Sequence, residues 1–302
     1  MNKVTVVGSI NLDRTLRVID MPKPGETVHT TEVFSAGGGK GANQAVAAAR
    51  LGAKTRFIGA VGEDDAGEMT YHLLDEEGID LKGVAKWPNT ATGQAYIIVD
   101  DNGENSIMIH SGSNGAFTPE HVQKFADEIA DSDFVVTQFE SNFDSSIEAF
   151  KIAHEKGVKT ILNPAPAMTK IPKELLQNTD MIVPNETETE ILTGIHVETE
   201  DDMKQAATKL HEQGVPVVLI TLGSKGAFYD GMGQQGMVPA LKVKAVDTTA
   251  AGDTFIGALS SVLTRDFSNL EEAIKQANRA SALTVQRFGA QPSIPYAKEL
   301  AE

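Results

Sequence analysis

The chain has no cysteine. Disulfides, thiolate metal sites and thiol nucleophiles are therefore excluded. It has no uninterrupted apolar run of about 18 residues, the length a membrane-spanning helix requires. It is also short of basic charge: 26 Lys and Arg stand against 42 Asp and Glu, a formal net charge of −16. An excess of that sign argues against nucleic acid or an anionic membrane as the main partner. Phosphate ligands remain open, because fixed backbone amides can hold an anion locally. No H-E-x-x-H arrangement occurs; His154-Glu155 and His211-Glu212 each lack the second histidine. There is no internal repeat, no low-complexity segment and no linker. The chain opens on the strand-like Lys3–Val7 with no leader before it, and a cytoplasmic protein is expected. The 302 residues allow one large domain or two small ones.

What is present is a regular alternation of short apolar runs and amphipathic stretches, the pattern of an α/β protein. Lys3–Val7 ends in Gly8 and is followed by Asn11 and Asp13. These fit either a bidentate grip on sugar hydroxyls at a strand end or an Asx turn. Leu16–Phe34 and the pair Thr92–Val99 and Asn105–His110 read as extended segments outside the alternation. They are expected to form a small β lid inserted into one domain spanning 1–302, as segments of about 14–34 and 92–110. Gly37-Gly38-Gly39-Lys40-Gly41-Ala42-Asn43-Gln44 feeds an alanine-rich helix. It is not a P-loop, because Lys40 is followed by Gly41 rather than Ser or Thr. Its glycines suit close approach of backbone amides to a small polar ligand; a glycine hinge is the alternative.

Farther on, Asn185 and Glu188 have the spacing of a capping box, with a second reading as phosphate and magnesium contacts. Gly231–Gly236 matches G-x-G-x-x-G but is flanked by extended segments, which makes it a hairpin and removes the case for a dinucleotide-binding dehydrogenase. Asp247–Leu259 holds the most suggestive chemistry. An extended Leu241–Val246 leads in and a small-residue helix from about Ala250 to Leu263 leads out, with Thr248 and Thr249 as expected N-caps. A first turn of Ala250, Ala251 and Gly252 leaves the helix amides open to an anion. Asp253 beside them is either a base for a reacting hydroxyl or an acidic residue placed for the helix dipole.

With these residues in hand, the chain resembles the ribokinase-like carbohydrate kinase family. The resemblance rests on Gly38–Gln44, Asp247–Thr254, Gly8–Asp13, Asn163–Ala167, Pro184–Glu188, Thr221–Ser224 and Gly289–Ser293, and it covers essentially the whole chain. It implies a Rossmann-like, mostly parallel sheet with helices on both faces, a β lid that also makes a homodimer contact, and ATP-dependent phosphorylation of D-ribose at O5. It implies magnesium on the phosphates and potassium as activator. The sugar would lie on Asn11, Asp13, Gly39, Lys40, Gly41, Ala42, Asn43 and Glu140. The nucleotide would lie on Asn185, Thr221, Leu222, Gly223, Ser224, Lys225, Gly226, Gly252 and Asn278. Asp253 would be the base, with Gly252, Ala251 and Ala250 as anion hole. Potassium would sit near Asp247, Thr249, Thr284, Arg287, Gly289 and Ser293, and magnesium would meet Glu188 through water. Ile256 departs from the family, where Asn is common. A kinase for deoxyribose or a nucleoside, and a non-catalytic sugar sensor, are the rival readings.

Overall fold

Short β-branched runs build a nine-stranded sheet and a separate four-stranded one. The computed structural model describes residues 1–300; the last two residues of the expected 1–302 domain lie outside the described residues. In chain order the strands are β1 (Lys3–Val7), β2 (Asn11–Arg17), β3 (Glu32–Gly38), β4 (Lys54–Gly62), β5 (Asp80–Trp87), β6 (Gly93–Val99), β7 (Asn105–His110) and β8 (Phe134–Thr137). They continue as β9 (Lys159–Leu162), β10 (Met181–Ile182), β11 (Val217–Thr221), β12 (Ala227–Gly231) and β13 (Gln234–Val238). The large sheet runs β13-β12-β11-β10-β9-β8-β1-β4-β5. It is parallel from β11 to β5, and only β12 runs against its neighbours. The small sheet runs β3-β2-β6-β7.

Strands buried on both faces account for the near-continuous apolar runs. Val4 and Val6 of β1 belong to one core, with the helices Lys40–Arg50, Ala251–Val262 and Leu270–Thr284. Val7 joins the opposite core, with Phe150 of helix Phe143–Glu155 and Leu210 of helix Glu200–Glu212. Helices thus cover both faces, as expected of a Rossmann-like sheet.

Several local expectations are corrected. Asn11 and Asp13 lie inside β2, paired with Gly38 and Ala36 of β3, so neither sits in an Asx turn. Gly37 and Gly38 belong to β3 rather than to a flexible loop, and the chain turns at Gly39, where φ is 88°. A Cβ at Gly39 would lie 2.9 Å from the Asn11 nitrogen. Leu241–Val246 forms no strand. The N-cap of the Ala251 helix is Ala250, at φ 60°, with no capping side chain among the described residues. Thr248 and Thr249 are drawn away, because Thr249 bonds Asp247 instead. Strand β5, which the sequence reading passed over, closes the sheet beside β4. The G-x-G-x-x-G segment is the β12–β13 hairpin.

The Lys40 and Ala251 helices touch at unusually short range. A Cβ on Gly257 would lie 2.7 Å from both the Ala48 nitrogen and the Gln44 carbonyl oxygen. Those are backbone atoms of another helix and cannot step aside cheaply. Gly257→Ala gains about 1 kcal/mol of helix propensity but overpacks a rigid contact at a cost of about 1–3 kcal/mol. Urea unfolding is expected to show net destabilisation; a variant more stable than the parent would contradict this packing.

Candidate active site

The Lys40 helix and the Ala251 helix both start at one cleft, beyond the strand ends of the large sheet. A cavity of about 190 Å³ there is lined by Lys40, Asn185, Glu188, Thr221, Thr248, Ala250, Ala251, Gly252 and Asp253, with Asn163, Ala165, Val183 and Ile256 behind them. The left-handed Ala250 is the unusual feature of its backbone. A non-glycine residue in that region costs on the order of 1–3 kcal/mol and persists where surrounding structure imposes it. Its effect is to begin the helix abruptly. The Ala251 N–H donates to the Thr248 carbonyl at 3.2 Å. The N–H groups of Gly252 and Asp253 have no acceptor among the described residues. They are free helix-start donors facing the cleft, as an anion site requires.

Asp253 is buried, and both carboxylate oxygens are held. Asn43 Nδ2 donates to Oδ2 at 3.0 Å and Gln44 Nε2 to Oδ1 at 3.0 Å. Asn43 Oδ1 is buried and unpartnered among the described residues. A ligand hydroxyl would satisfy it, since an orphan buried acceptor costs about 1–3 kcal/mol. Glu140 Oε2 accepts from Ser9 Oγ at 2.7 Å and from the Lys40 N–H at 2.9 Å. It thereby anchors the glycine turn. Asn11 Oδ1 accepts from Asn114 Nδ2 at 2.8 Å, so its own Nδ2 is left to donate. Gly41 allows the turn to rest on β1: a Cβ there would lie 2.6 Å from the Ser9 nitrogen. Ala42 is fully buried and can offer only backbone.

Charge is concentrated here. Burial, with Glu140 and then Asp253 adding repulsion, pushes the Asp13 carboxyl up to about 7. Lys40 is raised, chiefly by the Asp253 carboxylate and against the cost of its burial. Glu188 is raised by burial, although the Asn185 N–H and Lys40 pull the other way.

On the far side of the cleft, the Asn185–Glu188 capping box is formed at the start of helix Glu186–Thr193. Gly223–Lys225 makes a tight turn after β11. Leu222 is buried in the core, so its side chain is unavailable to a ligand there. Lys225 pairs with Glu186. Gly226 has φ 108°. Asn278 does not line the cavity; its Nδ2 donates to the Val238 and Pro239 carbonyls at 3.2 Å. Asp247 joins two loops: Oδ1 accepts from Thr249, and Oδ2 accepts from the Gly289 N–H at 2.9 Å. These bonds outweigh burial and hold its carboxyl below the usual value. Thr284 Oγ1 turns to Thr254, Arg287 pairs with Glu299, and Ser293 Oγ bonds the Ala290 carbonyl. Those three side chains are engaged, so any cation there would have to use backbone oxygens.

Residues 1–297 match the sequence model of the pfkB family carbohydrate kinases. The chain belongs to that family. It is 47% identical over 300 residues to a ribokinase of Staphylococcus aureus, covering 99% of this chain and 98% of the relative. It is 37% identical to a deoxyribokinase of Salmonella typhi, covering 99% and 97%. The solved structure of Arabidopsis thaliana ribokinase complexed with ribose and ATP superposes with a TM-score of 0.93 at 35% identity, covering 99% and 97%.

Gln44, Asn163 and Ser9 lie inside the motif stretches but were assigned no role of their own, and Gln138 and Asn114 were not singled out for the site; all five contribute to this geometry. Their signal was present only as polar residues in otherwise apolar, small-residue surroundings.

The Asp13 shift has a checkable sign. A carboxyl raised from 3.8 to about 7 on folding binds its proton more tightly in the folded state. Stability is then full below about pH 4, falls as pH rises toward about 7, and levels off above. The difference in unfolding free energy between the parent and Asp13→Asn is expected to follow that curve. A difference flat from pH 4 to 8 would contradict it.

Proposed function

We propose that this chain transfers the γ-phosphoryl group of ATP to the O5 hydroxyl of D-ribose. The observation that carries the reading is Asp253: a buried carboxylate, held by two carboxamides, immediately beside free helix-start amides. A base and an anion site share one helical turn, which suits a hydroxyl attacking a phosphoryl group.

Asn11, Asp13 and Asn43 grip the sugar hydroxyls. Gly39, Gly41 and Ala42 bring the backbone close to it, and Glu140 holds the Lys40 turn in register. Asp253 takes the proton from O5. The oxygen attacks the γ-phosphorus in line as the bond to the β-phosphate oxygen breaks, and ADP leaves. The N–H groups of Gly252 and Asp253, with Ala250 and Ala251 shaping the turn, stabilise charge on the transferring oxygens. Each such donor is worth about 10²–10³ in rate. Lys40 offsets phosphate charge from the opposite wall. Asn185, Thr221 and the turn Gly223–Gly226 receive the nucleotide. Leu222, Ser224, Lys225 and Asn278 shape that side; Asn278 does so by tying down Val238 and Pro239.

Glu188 fits a magnesium ion held through water. It is a buried carboxylate on the cavity wall whose proton affinity is raised by burial, and magnesium typically keeps its waters and uses one or two carboxylates with substrate phosphates. A magnesium ion held there would supply positive charge to offset the charge on the transferring phosphates. Potassium fits beside Asp247, Thr249 and Gly289, with the carbonyls of Thr284, Arg287 and Ser293 as further oxygens. The carboxylate of Asp247 is kept ionised there by its hydrogen bonds.

The small sheet serves as a lid within a single 1–302 domain. Excluding water protects ATP from hydrolysis. Its outer strands carry Val33, Phe34, Ile107 and Ile109, which are 46–59% exposed. Apolar side chains clustered on sheet edges mark an association surface, and a second copy of this chain is the partner proposed. Phe34→Glu with Ile107→Glu is expected to sediment as a monomer where the parent is a dimer; a monomeric parent at micromolar concentration would refute the contact.

Asp253→Asn keeps the volume and loses the base. Turnover is expected to fall about 10²–10⁴-fold, while calorimetry still registers ribose and ATP binding. Parental turnover in that variant would remove Asp253 from its assigned role.

A further inference from the structure

Gln44 sits directly after Asn43 on the Lys40 helix and is 1% exposed. Its carboxamide makes three contacts. Nε2 donates to Asp253 Oδ1 at 3.0 Å and to Asn163 Oδ1 at 3.1 Å, and Oε1 accepts from Gln138 Nε2 at 2.6 Å. The polarity of this chain is set at both ends by atoms that can only accept. Asp253, as a carboxylate, requires a nitrogen facing it, so Gln44 must turn its oxygen to Gln138. Asn163 Nδ2 donates to the Val183 carbonyl at 3.2 Å, so the Asn163 oxygen must face Gln44. One orientation satisfies every partner of Gln44.

Gln138 supports this at a cost. Its Oε1 is buried and unpartnered among the described residues, which is worth about 1–3 kcal/mol of destabilisation. Space for that carboxamide comes from Gly8, where a Cβ would run into Gln138 Oε1 and lie 3.0 Å from the Gly41 Cα. A glutamine that served packing alone would gain from being apolar here. Its retained polarity has one consequence the packing does not need: it aims the Gln44 N–H at Asp253.

From this geometry we infer that Gln44, locked by Gln138 and Asn163, is the positioning residue for the Asp253 carboxylate. The inference rests on Asp253 being the base. Asn43 holds the other oxygen but also faces the sugar, so it can exchange partners when the sugar binds. Gln44 has no access to the cleft and keeps the carboxylate plane fixed throughout. Its action is on the alignment of the reacting groups, where a displacement of about 1 Å costs about 10²-fold in rate.

Gln44→Met preserves length and removes the donor. In steady-state assays with ribose and ATP, kcat is expected to fall about 10- to 100-fold, with both KM values within about threefold of the parent. Placed in the Asp253→Asn background, Gln44→Met is expected to cost nothing further, because its effect passes through that carboxylate. Gln138→Met leaves Gln44 present but unlocked. It is expected to lower kcat less than Gln44→Met does, and again to be silent in the Asp253→Asn background. It keeps the test open should Gln44→Met fail to fold.

Additive losses in the double variants would overturn the inference, since Gln44 would then act elsewhere. Parental kcat in both glutamine variants, with Asp253→Asn inactive, would overturn it while leaving the base intact. Parental kcat in Asp253→Asn would remove both.

Discussion

Everything at the active site depends on how closely the Lys40 helix and the Ala251 helix approach. Gly257 on one and Gln44–Ala48 on the other meet backbone to backbone. Side chains of ordinary size would separate the axes and carry Asn43 and Gln44 out of hydrogen-bond range of Asp253. The small-residue composition of both helices follows from this constraint. Alanines in the first, and Gly257 in the second, are what allow two helix starts to open on one cleft. The sheet beneath supplies rigidity: β1 delivers Gly8 and Ser9 to the same point, and the glycine turn rests on them.

A second constraint is electrostatic. A chain with net charge −16 has to accept a polyanionic nucleotide. In the proposed reaction it would do so locally, with Lys40 and two unpaired amides in the cleft rather than with a basic surface. Asp253 and Glu188 line the same cavity, and Asp13 lies within electrostatic reach of Glu140 and Asp253. Burial, with repulsion from Glu140 and Asp253, raises Asp13 to about 7. In that proposed reaction, sugar hydroxyls would donate to the nearby carboxylates and a divalent cation would sit beside Glu188.

Much of this was legible in the sequence. The βα alternation, the separate extended segments, the capping box at Asn185 and the false dinucleotide motif all correspond to what the structure contains, because each rests on local patterning. Failures have physical causes too. Thr248 and Thr249 were good N-caps by composition, yet Asp247 captures Thr249 and leaves Ala250 to start the helix uncapped. Asn11 and Asp13 looked like turn formers, but pairing with β3 holds them in a strand. Strand β5 was passed over because its polar alternation is that of a sheet edge. Gln44 and Gln138 were invisible as functional residues, since their value lies in contacts across 94 residues of chain, which no local pattern records. Ile256 proves to be buried and on the cavity wall one turn beyond Asp253.

The most direct test is a phosphorus NMR time course of the protein with ATP and magnesium, supplied in parallel with D-ribose, 2-deoxy-D-ribose, adenosine or no acceptor. The account predicts a sugar-phosphate resonance at O5 of ribose, growing in step with ADP and fastest of the acceptors tested, with negligible inorganic phosphate when no acceptor is present. ADP and inorganic phosphate appearing at the same rate without sugar, or a nucleoside phosphorylated in preference to ribose, would contradict it.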